Sequence, residues 1–332
     1  MSSQLVSIIV PLYNAEREVP SVFEEVKKQT YQNVEVTVVD DGSTDRTFAV
    51  AENACDQLPK ARVIETNHGG ASHARNVGLK ASQGDTVFFM EADCTYDNDY
   101  VLKAVELLEA RGEISAVCLT GAPLKVRKTL AVECIDIENK VQHRMLNEGK
   151  MKPFYAWVFR RQALLSIGGF DEKLFQGEDK DLFRRFEGAG YKAGWVPGVH
   201  WWHRRDQTLA ELAGKWFSRG RMRLLYSLKH RLFSEMARTL APLWLTVIGL
   251  LTAIFAPLVG LGIILLVMAA FLYYSFKNIY LSWPFVDRKR VFAGYPLFVL
   301  VRNFLTALGY TWGLFLVTLR RLQRKDITLS NV

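Results

Sequence analysis

The stretch "DTVFFMEADCTY", residues 85–96, carries four apolar side chains and then stops on two carboxylates, Glu91 and Asp93, separated by one alanine. Two like charges at the end of a buried run are costly unless something offsets them. Residues two apart on a strand point to the same side, so the pair can converge just beyond a sheet edge. Hard carboxylate oxygens suit Mg²⁺ or Mn²⁺, an ion that keeps waters and completes its shell with substrate phosphates. The same residues also fit a solvated turn in which Asp93 caps the following segment. A second acidic pair ends "VVDDGSTDRT": capping of a helix explains Asp45, but not Asp40 and Asp41, which can accept hydrogen bonds from a nucleobase. Tyr13 in "PLYN" follows the first apolar run and can stack on such a base or simply pack.

These residues need a scaffold that brings them to one edge. Short apolar runs, "LVSIIVPL", "VEVTVVDD", "RVIET" and "DTVFFME", alternate with amphipathic stretches at Glu16–Thr30, Asp45–Asp56, Ala71–Ser82 and Asp97–Arg111. The pattern predicts an α/β fold, a mostly parallel sheet with helices on both faces, and places the polar chemistry at the carboxyl ends of the strands. No strand is followed by G-x-G-x-x-G and no G-x-x-x-x-G-K-[ST] occurs, which argues against a dinucleotide dehydrogenase or a P-loop ATPase.

The chain has 332 residues, 49% of them hydrophobic, and most of the apolar excess follows about Ala237. The net charge of +8 collects at the edges of the C-terminal apolar segments rather than among aromatics, which fits membrane orientation and not nucleic acid. Residues 239–276 read as two membrane helices joined at "APLVGLG", each near the roughly 20 residues a bilayer requires. Basic residues flank this hairpin on both sides, so both ends are expected on the cytoplasmic face of the cell membrane. A third apolar stretch, 295–319, contains Arg302 and Asn303 and precedes a basic tail, so it is expected to lie in the interface or to re-enter. Residues 1–208 are thus expected to form a catalytic domain, 209–236 an amphipathic interface segment and 237–332 the membrane region. Cys55, Cys94, Cys118 and Cys134 show no C-x-x-C spacing, which fits a reducing compartment, and "MSSQLVSIIVPLYN" has no basic leader, so the catalytic part is expected in the cytoplasm.

In order, "VSIIVPLYNAE", "VTVVDDGSTDRT", "NHGGASHARNVGL" and the "EAD" stretch resemble the nucleotide-sugar-binding half of the family-2 glycosyltransferases, which have the GT-A fold. "IGGFDEKLFQGEDKDLFRRFEGAGYKAGWVP" resembles their acceptor half, and the likeness runs from about Leu5 to Arg223. The resemblance implies that Asp41 contacts the base, that Tyr13 stacks on it and that Arg75 lies near the base or phosphates. It places Asp93 at the last position of the D-x-D metal motif, with Glu91 where the family usually has Asp, one methylene longer. It implies that Asp179 of "GED" is the general base, with Glu178 beside it. A carboxylate within reach of an attacking hydroxyl is the simplest proton recipient, although both acids also suit the start of a helix. His203 in "VHWWHRRD" aligns with a histidine that helps hold the metal or phosphates in some relatives, while Trp201 and Trp202 beside it also suit an interfacial belt. Arg219 and Arg221 in "GKWFSRGRMRLLY" can neutralise a pyrophosphate or lipid phosphate, or bind the membrane surface. His68, His73, His143 and His230 are assigned no chemistry.

The expectation is an inverting, metal-dependent glycosyltransferase that uses a nucleotide-diphosphate sugar and a lipid-linked saccharide acceptor at the membrane. Two alternatives remain: transfer to a polyprenyl or dolichyl phosphate, which needs no base, and a non-catalytic sugar-nucleotide-binding membrane protein.

Overall fold

The computed structural model describes residues 4–121, 157–174, 176–203, 209–282 and 289–322, with scattered positions between 130 and 150. The chain divides into two compact units, one of residues 1–125 and 145–205, the other of 126–144 and 206–332. Residues 126–144 therefore belong with the C-terminal helices, although they fall inside the 1–208 span expected for the catalytic domain.

In the first unit, β-branched runs form strands and the amphipathic stretches between them form helices. In chain order these are β1 (Val6–Leu12), α1 (Val19–Lys27), β2 (Val34–Asp40), α2 (Thr47–Cys55), β3 (Ala61–Glu65), α3 (Ala71–Ala81), β4 (Thr86–Phe89), β5 (Cys94–Tyr96) and α4 (Tyr100–Ala110). They continue with β6 (Ala116–Gly121), β7 (Val158–Arg160), α5 (Arg161–Ser166), α6 (Glu178–Gly188) and β8 (Ala193–His203). The strands form one eight-stranded sheet in the order β3-β2-β1-β4-β7-β6-β8-β5. The four strands at the β3 end are parallel, with Val6 opposite both Val34 and Thr86. The other end is mixed: β7 runs antiparallel to β4 and β6, β5 antiparallel to β8, and β6 parallel to β8. The β6–β8 register jumps from Leu119↔Val196 to Thr120↔His200, absorbing Pro197 and the left-handed Gly198.

Core side chains pack on both sides of this sheet. Val6, Ile8, Val10, Val36 and Val38 join Phe88, Tyr100 and Val101 in one cluster, and Ile9, Phe89, Phe159, Phe183 and Phe186 form the other. Helix α3 lies close on β1, where a Cβ at Gly78 would sit 2.3 Å from Ile9 Cγ2. Glu35 ties the amino ends of the strands together: Ser7 Oγ donates to Oε1 at 2.6 Å and the Gln83 and Gly84 amides donate to the same oxygen. Burial raises its carboxyl, and these bonds, with Arg62 nearby, outweigh that and leave it below the usual 4.5.

The second unit contains α7 (Leu209–Lys229), α8 (Phe233–Phe255), α9 (Pro257–Ser282) and α10 (Lys289–Leu322). Helices α8 and α9 meet at Ala256–Pro257, within the expected hairpin, and carry exposed Leu250, Leu251, Ile254, Phe255, Leu258 and Leu266. The stretches Phe233–Phe255 and Gly294–Leu319 are long and apolar enough to cross a membrane, and Pro257–Tyr273 is a shorter apolar helix. The third apolar segment is thus part of one continuous 34-residue helix. Helix α7 packs along α10 through glycines: a Cβ at Gly220 would meet Thr306 O at 2.0 Å, and one at Gly309 would meet Phe217 O at 1.9 Å. Cys134 is buried with Leu212, Trp216, Tyr295, Phe298 and Val299 in this unit.

Candidate active site

β1 lies between β2 and β4, and the chain leaves it toward β2 before returning on its other side at β4. Open α/β sheets bind ligands beyond the carboxyl ends of the strands where the order reverses in this way. A hollow of about 590 Å³ opens there, lined by Tyr13 and Asn14 after β1, Asp41 after β2, His68 and Gly70 after β3, and Glu91 and Asp93 after β4. Arg75 of α3 and Glu178 at the start of α6 complete it.

The loops that carry these groups are tied to one another. Asn14 adopts a left-handed backbone (φ 48°), tolerable for asparagine; its amide donates to Ser43 Oγ at 2.9 Å and its Oδ1 accepts the Thr44 amide at 2.8 Å. Asp41, 2% exposed, accepts the Gly69 amide at 2.9 Å and the Gly70 amide at 2.8 Å, and its Oδ2 lies 2.9 Å from His68 Nδ1. Gly42 permits this approach: its φ is 69°, and a Cβ there would stand 2.8 Å from the His68 amide nitrogen. Asp41 thereby fixes the loop that leads into α3. His68 in turn stacks on Tyr13, with ring centroids 4.2 Å apart and planes 28° apart. His68, assigned no chemistry from the sequence, is part of the hollow; its place directly after β3, at the same edge as Asp41, was the available signal.

Glu91 and Asp93 converge, but not by strand alternation. β4 ends at Phe89, and both acids lie in the turn before β5. That turn is held by the Glu91 amide donating to Tyr96 Oη at 2.9 Å and the Cys94 amide donating to Glu91 O at 3.2 Å. One ligand atom from each of Glu91, Asp93 and Cys94 lies within 4.8 Å of the others. Burial, reinforced by the charges of Glu91 and Asp93, pushes the Cys94 thiol well above its usual range, and the two carboxylates are the hard oxygen donors of the group. Two hard oxygen donors facing an open hollow fit Mg²⁺ or Mn²⁺, with room for water and phosphate oxygens.

Arg75 is 5% exposed, with Nη2 3.3 Å from Glu91 Oε1 and Nη1 3.3 Å from Glu178 Oε1. Its guanidinium carbon is 5.2 Å from the ring centroids of both Trp157 and Phe170. Burial raises the Glu178 carboxyl, Arg75 opposes that, and Asp179 adds to it.

Other expected site residues fall elsewhere. Asp40 is 1% exposed, accepts a hydrogen bond from Ser43 Oγ and does not line the hollow, because as the last residue of β2 it points into the fold. The expected base contact thus narrows to Asp41. Asp179 also does not line the hollow; it is partly exposed in the first turn of α6, and its Oδ1 accepts the Lys180 amide at 2.7 Å. The backbone of His203 is registered opposite Cys94, next to Asp93, and its side chain lies outside the described residues. His200 lies 3.3 Å from Asp97 through Nδ1, and His73 bridges Thr66 and Glu172. Arg219 and Arg221 are on α7 in the second unit, Arg219 exposed.

The family model described as Glycosyl transferase family 2 matches residues 7–168, a stretch that contains most of this hollow. An uncharacterized glycosyltransferase of Haemophilus influenzae is 36% identical over 172 residues, covering 49% of this chain and 65% of its own. The O-antigen chain rhamnosyltransferase WbaN of Salmonella anatum is 26% identical over 226 residues, covering 64% of this chain and 70% of its own. Among solved structures, the mannosyltransferase PcManGT from Pyrobaculum calidifontis, in complex with GDP-Man and Mn²⁺, has a similar fold. Its TM-score is 0.59 at 19% identity, covering 92% of this chain and 87% of that one. The chain spans less than two thirds of the length of several curated relatives it matches, 31% of one and 28% of another.

Proposed function

We propose that this protein is an inverting glycosyltransferase that moves a sugar from a nucleotide-diphosphate sugar to a lipid-linked saccharide at the cytoplasmic membrane face. The observation that carries the reading is the convergence of Tyr13, Asp41, Arg75, Glu91, Asp93 and Glu178 on one hollow at the sheet edge. A relative named for O-antigen chain rhamnosyl transfer and a fold neighbour holding GDP-Man and Mn²⁺ support the donor and acceptor classes.

In this reading Tyr13 and His68 present their rings to the nucleobase. Asp41 keeps the 68–70 loop in place and uses its remaining acceptor capacity on the base edge. Arg75 offers a planar fork to the diphosphate. When bound at Glu91 and Asp93, Mg²⁺ or Mn²⁺ supplies positive charge beside the departing nucleoside diphosphate. Asp179 takes the proton of the acceptor hydroxyl as it attacks the anomeric carbon from the face opposite the leaving group, which inverts the configuration. Glu178, paired with Arg75, holds the fork while Asp179 accepts the proton. The apolar helices of the second unit hold the protein at the bilayer, and their basic flanks keep the catalytic domain on the cytoplasmic side.

Membranes containing the protein, given a panel of nucleotide sugars with Mn²⁺, should add one sugar mass to a lipid-linked saccharide. Transfer to bare polyprenyl phosphate in preference to the saccharide would favour the phosphate acceptor. No product and no nucleoside diphosphate release with any donor would contradict the reading.

A further inference from the structure

The partners of Arg75 extend the proposed function, on which the following rests. The guanidinium is buried yet poorly satisfied. It touches one oxygen of Glu91 and one of Glu178, each at 3.3 Å, longer than the roughly 2.7–2.9 Å of a strong charge-assisted bond. Its Nε–H is buried and has no acceptor among the described residues. Two aromatic rings, Trp157 and Phe170, cover it at 5.2 Å. A buried cation with an unmet donor and two stretched, single-oxygen ion pairs is poised for a better anion.

Glu91 is the shared element. The same carboxylate that faces Arg75 belongs to the acidic pair with Asp93 that fits a divalent cation. A cation drawn to Glu91 and Asp93 meets the positive charge of Arg75 across one carboxylate, and like charges so close oppose each other. A diphosphate is the anion that relieves this, because its oxygens can bind the metal on one side and the guanidinium fork on the other. We propose that Arg75 is a resident cation of the site that couples the two ligands. It disfavours a metal ion alone, favours metal and diphosphate together, and is drawn off Glu91 when both arrive. By linkage the effect is reciprocal: whatever Arg75 does to metal affinity in response to diphosphate, it does to diphosphate affinity in response to metal.

The test is Mn²⁺ binding to the full-length detergent-solubilised protein without nucleotide, followed by the electron paramagnetic resonance signal of free Mn²⁺. GDP and UDP binding without metal is measured beside it by calorimetry. Arg75→Gln should bind Mn²⁺ alone roughly 5-fold or more tighter than wild type and bind the nucleoside diphosphates correspondingly less tightly. Arg75→Lys, which keeps the charge but not the fork, should leave Mn²⁺ affinity near wild type and weaken nucleoside diphosphate binding. A purely structural arginine predicts the opposite sign, with Mn²⁺ affinity equal or lower in a folded Arg75→Gln protein, and that result overturns the coupling. If Arg75→Gln does not fold, Arg75→Lys decides alone: weaker diphosphate binding at unchanged Mn²⁺ affinity supports the proposal, and two unchanged affinities overturn it. A wild-type protein that binds neither Mn²⁺ nor either nucleotide overturns the reading of the site itself, and the coupling with it.

Discussion

Asp41, Glu91, Glu178 and Asp179 are four carboxylates near one hollow, and their surroundings give them different work. Asp41 accepts two backbone amides and faces His68, so its charge holds a loop. Glu178 is buried against Arg75, whereas Asp179 carries only a local bond from the Lys180 amide among the described residues and keeps its other oxygen for a proton. Asp179→Asn should therefore lower kcat by about 10²–10⁴-fold with little change in donor affinity, whereas Glu178→Gln should act mainly on donor affinity, both read from steady-state transfer kinetics. Equal loss of kcat in the two variants would make them a single functional unit. The acidic motifs and the aromatic Tyr13 were legible from residue type alone. Glu91 and Asp93 were read as strand neighbours, yet a turn fixed by Tyr96 Oη brings them together. Side-chain period reports direction inside a strand and says nothing once the strand has ended. His68 was missed because its role depends on a stack with Tyr13, from a loop far away in sequence.

The first four helices and the first four strands were expected nearly where they form, because their apolar periods are uninterrupted. The remaining strands were not, since β5 and β7 have three residues each and owe their existence to pairing with distant segments. Among the elements, Glu35 on β2 is a polar link between the starts of β1 and β4. Its carboxyl titrates below 4.5 in the folded protein, so its contribution is present above that value and is lost as pH falls from there through the folded-state value. Glu35→Gln should lower stability near neutral pH by about 1–3 kcal/mol and flatten the loss on acidification, measured by denaturant unfolding across pH. An unchanged acid limb would show that the link is energetically idle. In the helical unit, Gly309→Leu drives a side chain into the Phe217 carbonyl and should destabilise α7–α10 packing by about 1–3 kcal/mol, seen as faster protease cleavage in detergent micelles. Wild-type resistance in that variant would place the close helix approach in doubt.

At the scale of the whole molecule, sequence composition separated an α/β catalytic part from an apolar C-terminal part, and the structure has both. Two features were beyond its reach. Residues 126–144 join the second unit through contacts such as Cys134 with Trp216 and Tyr295, which no local pattern encodes. The segment that contains Arg302 and Asn303 is part of one continuous 34-residue helix, a length no local pattern encodes, in which Arg302 bonds Asn303 Oδ1 and sits 5.8 Å from the Phe298 ring. The exposed apolar surface of α8 and α9 predicts that the protein stays with the membrane pellet in alkaline carbonate and leaves it only in detergent; release by carbonate or salt would mean peripheral attachment.

The account stands on the acidic rim of the sheet binding a cation together with a nucleoside diphosphate. Its most direct measurement is the thermal unfolding midpoint of the detergent-solubilised protein with Mn²⁺ and a panel of nucleoside diphosphates, for wild type and Asp93→Asn. Ligand that binds the folded state alone raises that midpoint according to its affinity. Wild type should show a rise with at least one nucleotide that requires Mn²⁺, and Asp93→Asn, still folded, should lose it. No rise with any nucleotide, or an equal rise in Asp93→Asn, would contradict the account.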